Sequence, residues 1–283
     1  MTIGHTIVGS GKQKVLVLHG WFGDYEVWEP TFNSLDKDTF TYVFMDYRGY
    51  GKSRDINGDY SMGEIASDAI SLINDLGFDN FHTVGHSMGG MAIQRLILDM
   101  DDRKRVKSAV AIDPVPACGA QLDGDSWALF EGAIMSDENR YNILDFTTGN
   151  RNSVQWLNYM VERSRASTTV DAFAGYLNAW VKENFVEETK GLETPFLVCI
   201  GEHDLAFSKE AMEGTYLAWL DLRGLGLEVP EIPHWLASVA GVALSPGHWF
   251  GREGAGFARM TIAAPTEIIE QAADQLAIAA AQR

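Results

Sequence analysis

Short apolar runs recur along the first half of the chain and once more near residue 196. Each run is short enough to form one buried strand. The runs cover residues 15–19, 41–46, 81–87, 108–113 and 195–201. Residues 61–76 and 91–100 lie between strand-like runs and repeat their apolar residues at helical spacing. This alternation of strand and helix predicts an α/β fold with a mostly parallel sheet.

The strand pattern stops at about residue 117, and helical stretches rich in Trp, Tyr and Phe continue to residue 190. We interpret residues 117–190 as a helical cap on a core formed by residues 1–116 and 191–212. The aromatic side chains of the cap either pack within it and onto the sheet or line an apolar substrate pocket in a few cases.

The remaining segment, 213–283, has a pattern of its own. Strands are expected at 216–222, 241–244 and 257–263, and a helix at 232–239. A final amphipathic helix is expected at 265–282. This order predicts an atypical α+β C-terminal segment.

Composition narrows the function classes. With 283 residues, 46% of them hydrophobic, the chain is long enough to bury a large core. A formal charge of −17 disfavours binding to nucleic acid or to an anionic membrane surface. No run is apolar enough for a membrane span and the start lacks signal-peptide features, so we expect a cytoplasmic protein.

Cys199 lies in an apolar run and is expected to be a buried thiol.

The segment Gly85-His86-Ser87-Met88-Gly89 follows a predicted strand and precedes a predicted helix. This is the context that a nucleophile elbow requires, because a serine on a sharp turn needs small neighbours where the chain passes close to itself. The following helix directs its first N–H groups towards a developing oxyanion. The sequence therefore predicts Ser87 as a nucleophile.

A second turn, which begins at His19-Gly20-Trp21, follows the strand at 15–18. Its backbone N–H groups can complete an oxyanion hole, so we predict the N–H groups of Trp21 and Met88 as the two donors. The alternative is a simple tight turn.

In the loop after the next predicted strand, Asp46 and Arg48 are expected to hold the backbone through charge-assisted hydrogen bonds.

These segments, together with Gly201-Glu202-His203-Asp204, resemble those of α/β-hydrolase fold esterases over about residues 1–210. The resemblance implies hydrolysis of an ester, a lactone or a C–C bond of a small apolar substrate, or cofactor-free haloperoxidase or perhydrolase activity. A serine at position 87 argues against haloalkane dehalogenases, which place an aspartate there.

A serine nucleophile needs a histidine base and a carboxylate that orients it. Asp204 follows the strand at 196–200, where the resembled family places its acid, and Asp113 is the alternative at the end of another strand. For the base, the local sequence favours His248, whereas the spacing from the acid favours His234. A third possibility is that neither histidine is catalytic.

Doubt about the base comes from a second resemblance. The segment from about residue 213 onwards resembles the C-terminal end of fold-type I pyridoxal-phosphate enzymes of the aminotransferase and cystathionine β-lyase group. That resemblance implies a carboxylate-binding role for Arg259 and no catalytic role for His234 or His248. The rest of the chain lacks a counterpart of that family's cofactor domain and Schiff-base lysine.

The sequence therefore predicts a serine hydrolase with Ser87, Asp204 and His248 as its triad. It predicts no metal, no cofactor and no nucleic-acid or membrane partner, and it predicts a small apolar molecule as the substrate. The alternative is a catalytically incomplete binding protein of the same fold, or a chimera with the C-terminal segment of a pyridoxal-phosphate enzyme. The oligomeric state does not follow from the sequence.

Overall fold

The structure is a computed structural model that describes residues 2–122, 124–201, 203–204, 217–261 and 266–282. The chain divides into two compact units, Met1–Glu213 and Gly214–Arg283. The predicted positions of Glu202, of Tyr216, of residues 262–263 and of Pro265 lie outside the described residues.

A six-stranded sheet forms the centre of the first unit, in the order β1-β3-β2-β4-β5-β6. Only β1 is antiparallel to its neighbour, and the other pairs are parallel. The strands are β1 His5–Val8, β2 Gln13–Leu18, β3 Phe40–Met45, β4 Phe81–His86, β5 Val106–Ile112 and β6 Phe196–Cys199. This confirms the predicted α/β fold with a mostly parallel sheet.

Two long helices cover the sheet. Helix α1, Met62–Asp75, begins at Ser61, whose hydroxyl accepts the N–H of Glu64, and it buries apolar residues at helical spacing. Helix α2, Met88–Asp99, starts directly after β4 and is buried on nearly every side. A parallel sheet has both of its faces covered by helices. A helix as apolar as α2 is expected to cover the central strands, because there its side chains are buried on most sides.

Four helices form the segment that we interpreted as the cap. They are α3 Gly124–Gly132, α4 Asp137–Thr147, α5 Val154–Ser167 and α6 Val170–Lys182. Helices α4, α5 and α6 each begin at a Ser or Thr whose side chain accepts a hydrogen bond from the first turn.

Short 3₁₀ helices connect several of these elements. In the first unit they cover Tyr25–Thr31, Gly51–Ser53, Arg103–Arg105 and Val186–Thr189. In the second unit they cover Arg223–Leu225, Val229–Glu231, Gly247–Phe250 and Arg252–Gly254.

The second unit contains an antiparallel sheet in the order β7-β9-β8, with β7 Leu217–Asp221, β8 Ser245–Pro246 and β9 Phe257–Thr261. Helix α7, Ile232–His234, continues as one π-helical turn, Trp235–Val239, and α8 covers Thr266–Ala281. Apolar residues of α7, the π-turn and β9 form its core, with Ile232, Leu236 and Ala258 almost fully buried.

Three expectations need correction. Strand β1 was not expected, because it is short and lies at the edge of the sheet. Residues 241–244 are not a strand, since Gly241 has a φ of 69° that breaks the extended run. Cys199 is exposed rather than buried, because β6 is the last described strand of its sheet.

In the part of the chain that the structure describes, no helix combines the length and apolar character needed to cross a membrane.

Candidate active site

Ser87 occupies the sharp turn between β4 and α2. Its φ of 53° and ψ of −119° lie in a region that non-glycine residues rarely adopt. Two hydrogen bonds hold this conformation: the N–H of Ser87 donates to the carbonyl of Ile112 at 2.9 Å, and the N–H of Val115 donates to the carbonyl of Ser87 at 3.1 Å. The strained residue is therefore fixed by the end of the neighbouring strand β5.

Glycines make this turn possible. A side chain on Gly85 would start 2.2 Å from the carbonyl oxygen of Gly89, and one on Gly89 would start 2.6 Å from the carbonyl oxygen of Leu18. On Gly20 it would start 3.3 Å from Cβ of Ser87. The loop after β2 thus lies directly against the turn that carries Ser87, where the two predicted oxyanion donors belong.

The orientation of the Gly20–Trp21 peptide is set by His19. Because the carbonyl of Gly20 can only accept, Nδ1 of His19 carries the proton and donates to it over 2.8 Å. The carbonyl and N–H of one trans peptide point in opposite directions, so this bond also fixes the direction of the Trp21 N–H. Burial lowers the pKa of His19 to about 3, which keeps the imidazole neutral.

Both predicted donors are open to an acceptor. Among the described residues, no hydrogen-bond acceptor contacts the backbone N–H of Trp21 or of Met88. Met88 is the first residue of α2, where the helix leaves its N–H groups without an internal partner. Two free backbone donors are what the predicted oxyanion hole requires, and the hole itself stays a prediction.

Aromatic side chains of the cap enclose Trp21. Its indole stacks on the ring of Phe173 with 3.9 Å between the ring centroids. The indole N–H also donates to the backbone carbonyl of Phe173, with 2.8 Å between Nε1 and the oxygen. The ring of Trp180 lies edge-on to the indole and that of Phe130 is stacked with it, with centroid distances of 5.6 and 6.0 Å. Residues of α3 and α6 therefore pack around Trp21 in the loop after β2 and make its surroundings apolar.

Ion pairs with α5 stabilise the end of the loop that follows β2. Asp24 caps the 3₁₀ helix Tyr25–Thr31 and pairs with Arg163 of α5 at 2.6 Å, and Arg163 also contacts Glu26. Burial raises the pKa of Asp24, while the charge of Arg163 acts in the opposite direction. The sequence analysis did not single out Arg163, because its partners are more than 130 residues away along the chain.

The loop after β3 matches its predicted structural role. Asp46 is fully buried and accepts the backbone N–H groups of Tyr25 and Lys52 at 2.7 and 2.9 Å. The guanidinium of Arg48 makes a bidentate hydrogen bond to the carboxylate of Asp68 in α1, from Nε and Nη2, with both distances at 2.8 Å. Burial raises the pKa of Asp46 to about 6.

Asp113 and Asp204, the two candidate acids, lie near one another beyond the ends of β5 and β6. Asp113 accepts the N–H of Gly201 at 2.6 Å. Burial raises the pKa of Asp113, and the negative charge of Asp204 adds to this effect. Asp204 also acts on His86, whose pKa burial lowers and Asp204 raises. The structure therefore brings both carboxylates to the edge of the sheet that bears Ser87.

The two candidate bases both belong to the second unit. His248 is half-buried in the 3₁₀ helix Gly247–Phe250, and its ring lies edge-on to that of Trp249 with 6.3 Å between the ring centroids. His234 is exposed at the end of α7, and its Nδ1 lies 3.4 Å from the hydroxyl of Ser238. Among the described residues, no cluster of three or more His, Cys, Asp or Glu could hold a metal ion.

Comparison with known proteins shows what this chain is similar to. Residues 14–154 match the family described as the alpha/beta hydrolase fold. The non-heme haloperoxidase of Rhodococcus erythropolis is 25% identical over 211 residues, which is 69% of this chain and 76% of that protein. The fluoroacetate dehalogenase of Burkholderia sp is 36% identical over 121 residues, but the match spans only 38% of its length and 41% of this chain.

Two solved structures share the fold. The bromoperoxidase from Bacillus anthracis has a TM-score of 0.63 at 22% identity, covering 74% of this chain and 82% of its own. The esterase from Exiguobacterium antarcticum has a TM-score of 0.66 at 22% identity, covering 75% and 81%. None of these relatives supports the expected resemblance of residues 213–283 to pyridoxal-phosphate enzymes.

Proposed function

We propose that this chain, which has the α/β hydrolase fold, is an enzyme that cleaves an ester or related acyl bond of a small apolar substrate with Ser87 as the nucleophile. The observation that carries this proposal is the backbone of Ser87, which is held in a strained conformation between β4 and α2. Such strain persists only where the surroundings enforce it, and it concentrates at functional sites.

The proposed reaction has two halves. In the first, Ser87 Oγ attacks the carbonyl carbon, a histidine takes the serine proton, and the alcohol leaves with that proton. The N–H groups of Trp21 and Met88 hold the oxyanion that forms in between. In the second, water attacks the acyl-enzyme by the same route and the acid is released. Asp204 orients the histidine and stabilises its charged form.

The base in this proposal is His248, with His234 as the alternative. His248 is the second residue of the 3₁₀ helix Gly247–Phe250, and the preceding Gly247 gives the Gly-His pair that favours this histidine. The proposed apolar substrate agrees with the aromatic surroundings of Trp21, since apolar walls with few polar groups favour apolar ligands.

A fluorophosphonate probe and p-nitrophenyl butyrate test the proposal together. We expect the wild-type protein to be labelled at Ser87 and to hydrolyse the ester, and we expect Ser87→Ala to lose both activities. Ser10→Ala, which changes an exposed serine, is the matched control and should behave as wild type. Turnover that survives in Ser87→Ala would contradict the assignment of the nucleophile.

A second candidate function follows from two relatives that match most of their length, the non-heme haloperoxidase and the non-heme chloroperoxidase of Burkholderia pyrrocinia. In that case the acyl group on Ser87 would pass to hydrogen peroxide and leave as a peracid. Bromination of monochlorodimedone in the presence of acetate, bromide and hydrogen peroxide would reveal it, and its loss in Ser87→Ala would tie it to the same site.

The alternative to an active enzyme is a binding protein or a chimera without a complete triad. The antiparallel sheet of residues 217–261 supports this alternative, because an antiparallel α+β segment is atypical of the α/β-hydrolase family. Absence of labelling and turnover in a folded wild-type protein would support it.

A further inference from the structure

The acid-bearing turn after β6 depends on a residue outside the proposed triad. We propose that Asp113 is a positioning residue: its carboxylate holds the Gly201 amide, and this contact places Asp204 for its role beside the histidine. The inference rests on the proposed function, in which Asp204 is the acid.

Direct contacts support this role. Oδ1 of Asp113 accepts the N–H of Gly201 at 2.6 Å, and the N–H of Asp113 donates to the carbonyl of Cys199 at 2.7 Å. The N–H of Asp204 then donates to the carbonyl of Gly201 at 3.1 Å. Asp113 is thus hydrogen-bonded to the backbone of both Cys199 and Gly201, shortly before Asp204.

The spacing within this turn is close. A side chain on Gly201 would start 3.5 Å from Oδ2 of Asp113 and 3.6 Å from Cβ of Asp204. The side chains of Asp113 and Asp204 therefore both lie beside Gly201. Displacement of Gly201 would move Asp204 directly.

Asp113 is also tied to the nucleophile. The residue before it, Ile112, accepts the N–H of Ser87, and Val115 donates to the carbonyl of Ser87. Asp113 itself has a φ of 41°, a left-handed conformation that costs energy for a residue other than glycine. One strained segment therefore connects the turn of the serine with the turn of the acid.

A carboxylate suits this role better than a neutral acceptor in one respect and worse in another. Its charge strengthens the short bond to the Gly201 N–H. Its charge also lies near that of Asp204, and this like charge disfavours ionisation of Asp113. If Asp113 only positions the turn, an uncharged acceptor of the same shape should retain most of its function.

The experiment compares Asp113→Asn with Asp113→Ala in the full chain. Asparagine keeps an oxygen at the position of Oδ1, whereas alanine removes it. We expect Asp113→Asn to retain kcat for p-nitrophenyl butyrate within about threefold and Asp113→Ala to lose about 30-fold or more, with KM little changed in both. Asp101→Asn, which neutralises an exposed carboxylate, is the control for charge alone.

Amide hydrogen exchange gives a readout that does not depend on activity. Peptides that contain Gly201 should exchange faster in Asp113→Ala than in wild type and should stay protected in Asp113→Asn. This result would stand even if the wild-type protein failed to label at Ser87, so failure of the proposed function and failure of this inference are distinguishable.

Two results would overturn the inference. Equal loss of kcat, about 10³-fold or more, in both variants with unchanged exchange would make Asp113 the triad acid itself. Wild-type kcat and exchange in Asp113→Ala would show that the contact with Gly201 positions nothing.

Discussion

The two compact units of this chain differ in how they could produce a catalytic site. In the first, five parallel strands end at one edge of the sheet, and the turns after β2, β4, β5 and β6 meet there. In the second, an antiparallel sheet of three strands places the carboxyl ends of hydrogen-bonded neighbours at opposite edges of the sheet. Ser87, Asp113 and Asp204 belong to the first unit, and both candidate histidines belong to the second.

The difference shows where topology alone supports a functional assignment. Parallel strands bring the loops at their carboxyl ends together whatever the details of packing, so a serine after β4 and a carboxylate after β6 become neighbours. An antiparallel sheet gives no such rule. The proposed roles of Ser87 and Asp204 therefore have a physical basis in the fold, whereas the proposed role of His248 depends on local sequence.

The largest effect that tests this contrast is expected at the base. His248→Ala should lower kcat/KM for p-nitrophenyl butyrate by about 10³-fold or more, because the serine then lacks its proton acceptor. His234→Ala serves as the matched control and should retain activity. Circular dichroism of each variant checks that the fold is intact.

Either of two other results would change the comparison between the units. Loss in His234→Ala alone would exchange the roles of the two histidines. Full activity in both variants, together with inactivity of Ser87→Ala, would mean that the first unit holds its own base and that the second unit takes no part in proton transfer.

A smaller loss is expected from a change in the loop after β2, which carries the proposed oxyanion donor Trp21. A side chain on Gly20 would start 2.9 Å from Nδ1 of His86 and 3.3 Å from Cβ of Ser87. Gly20→Ala must therefore displace the loop or the serine turn, and kcat should fall by about 100-fold if one oxyanion donor is misplaced. Gly224→Ala in the second unit, where no atom lies within 4 Å, should leave kcat unchanged.

Much of the first unit could be predicted from the sequence, because its buried strands are continuous apolar runs and its turns carry glycines. The position of Ser87 at the end of β4 follows from both features. The link between Asp113 and Gly201 could not be predicted, since 88 residues separate the two positions. His19 posed a different difficulty: its role rests on which ring nitrogen meets the Gly20 carbonyl, and a sequence does not reveal side-chain orientation.

The second unit was harder to predict for a physical reason. Its strands are short, and β8 has two residues, too few to show a period of two. The helix expected at 232–239 is α-helical only at Ile232–His234 and then widens into a π-turn, in which the N–H of Ala240 donates to the carbonyl of Trp235 at 2.9 Å. A pattern of apolar residues does not distinguish these two helical forms.

Acid should destabilise the first unit through His19. Its pKa is about 3 in the folded protein against an ordinary value of 6.5. Below pH 6.5 the unfolded chain binds a proton that the folded chain does not, so stability present above pH 6.5 is lost as the pH falls towards 3. Between pH 7 and pH 5 this contribution is about 2 kcal/mol.

Urea unfolding of His19→Asn at both pH values measures this contribution, because asparagine can still donate to the Gly20 carbonyl. The variant should lose about 2 kcal/mol less than wild type on acidification. Asp46→Asn provides a control of opposite sign. The pKa of Asp46 is raised to about 6, so the wild-type protein gains about 1 kcal/mol from this group between pH 7 and pH 5, and the variant should lose that gain. Identical pH dependence in all three proteins would contradict both assignments.

The smallest effects compare one glycine from each unit. Neither Gly63 in α1 nor Gly241 after the π-turn has an atom within 3.4 Å of the point where a side chain would start, so space does not decide the outcome. Backbone conformation does, because Gly241 has a φ of 69° and Gly63 lies in a regular helix. Gly63→Ala should raise the free energy of unfolding by about 0.5–1 kcal/mol, and Gly241→Ala should lower it by about 1 kcal/mol. Chemical denaturation of the two variants beside wild type measures both changes, and a gain in Gly241→Ala would mean that residue 241 is not left-handed in solution.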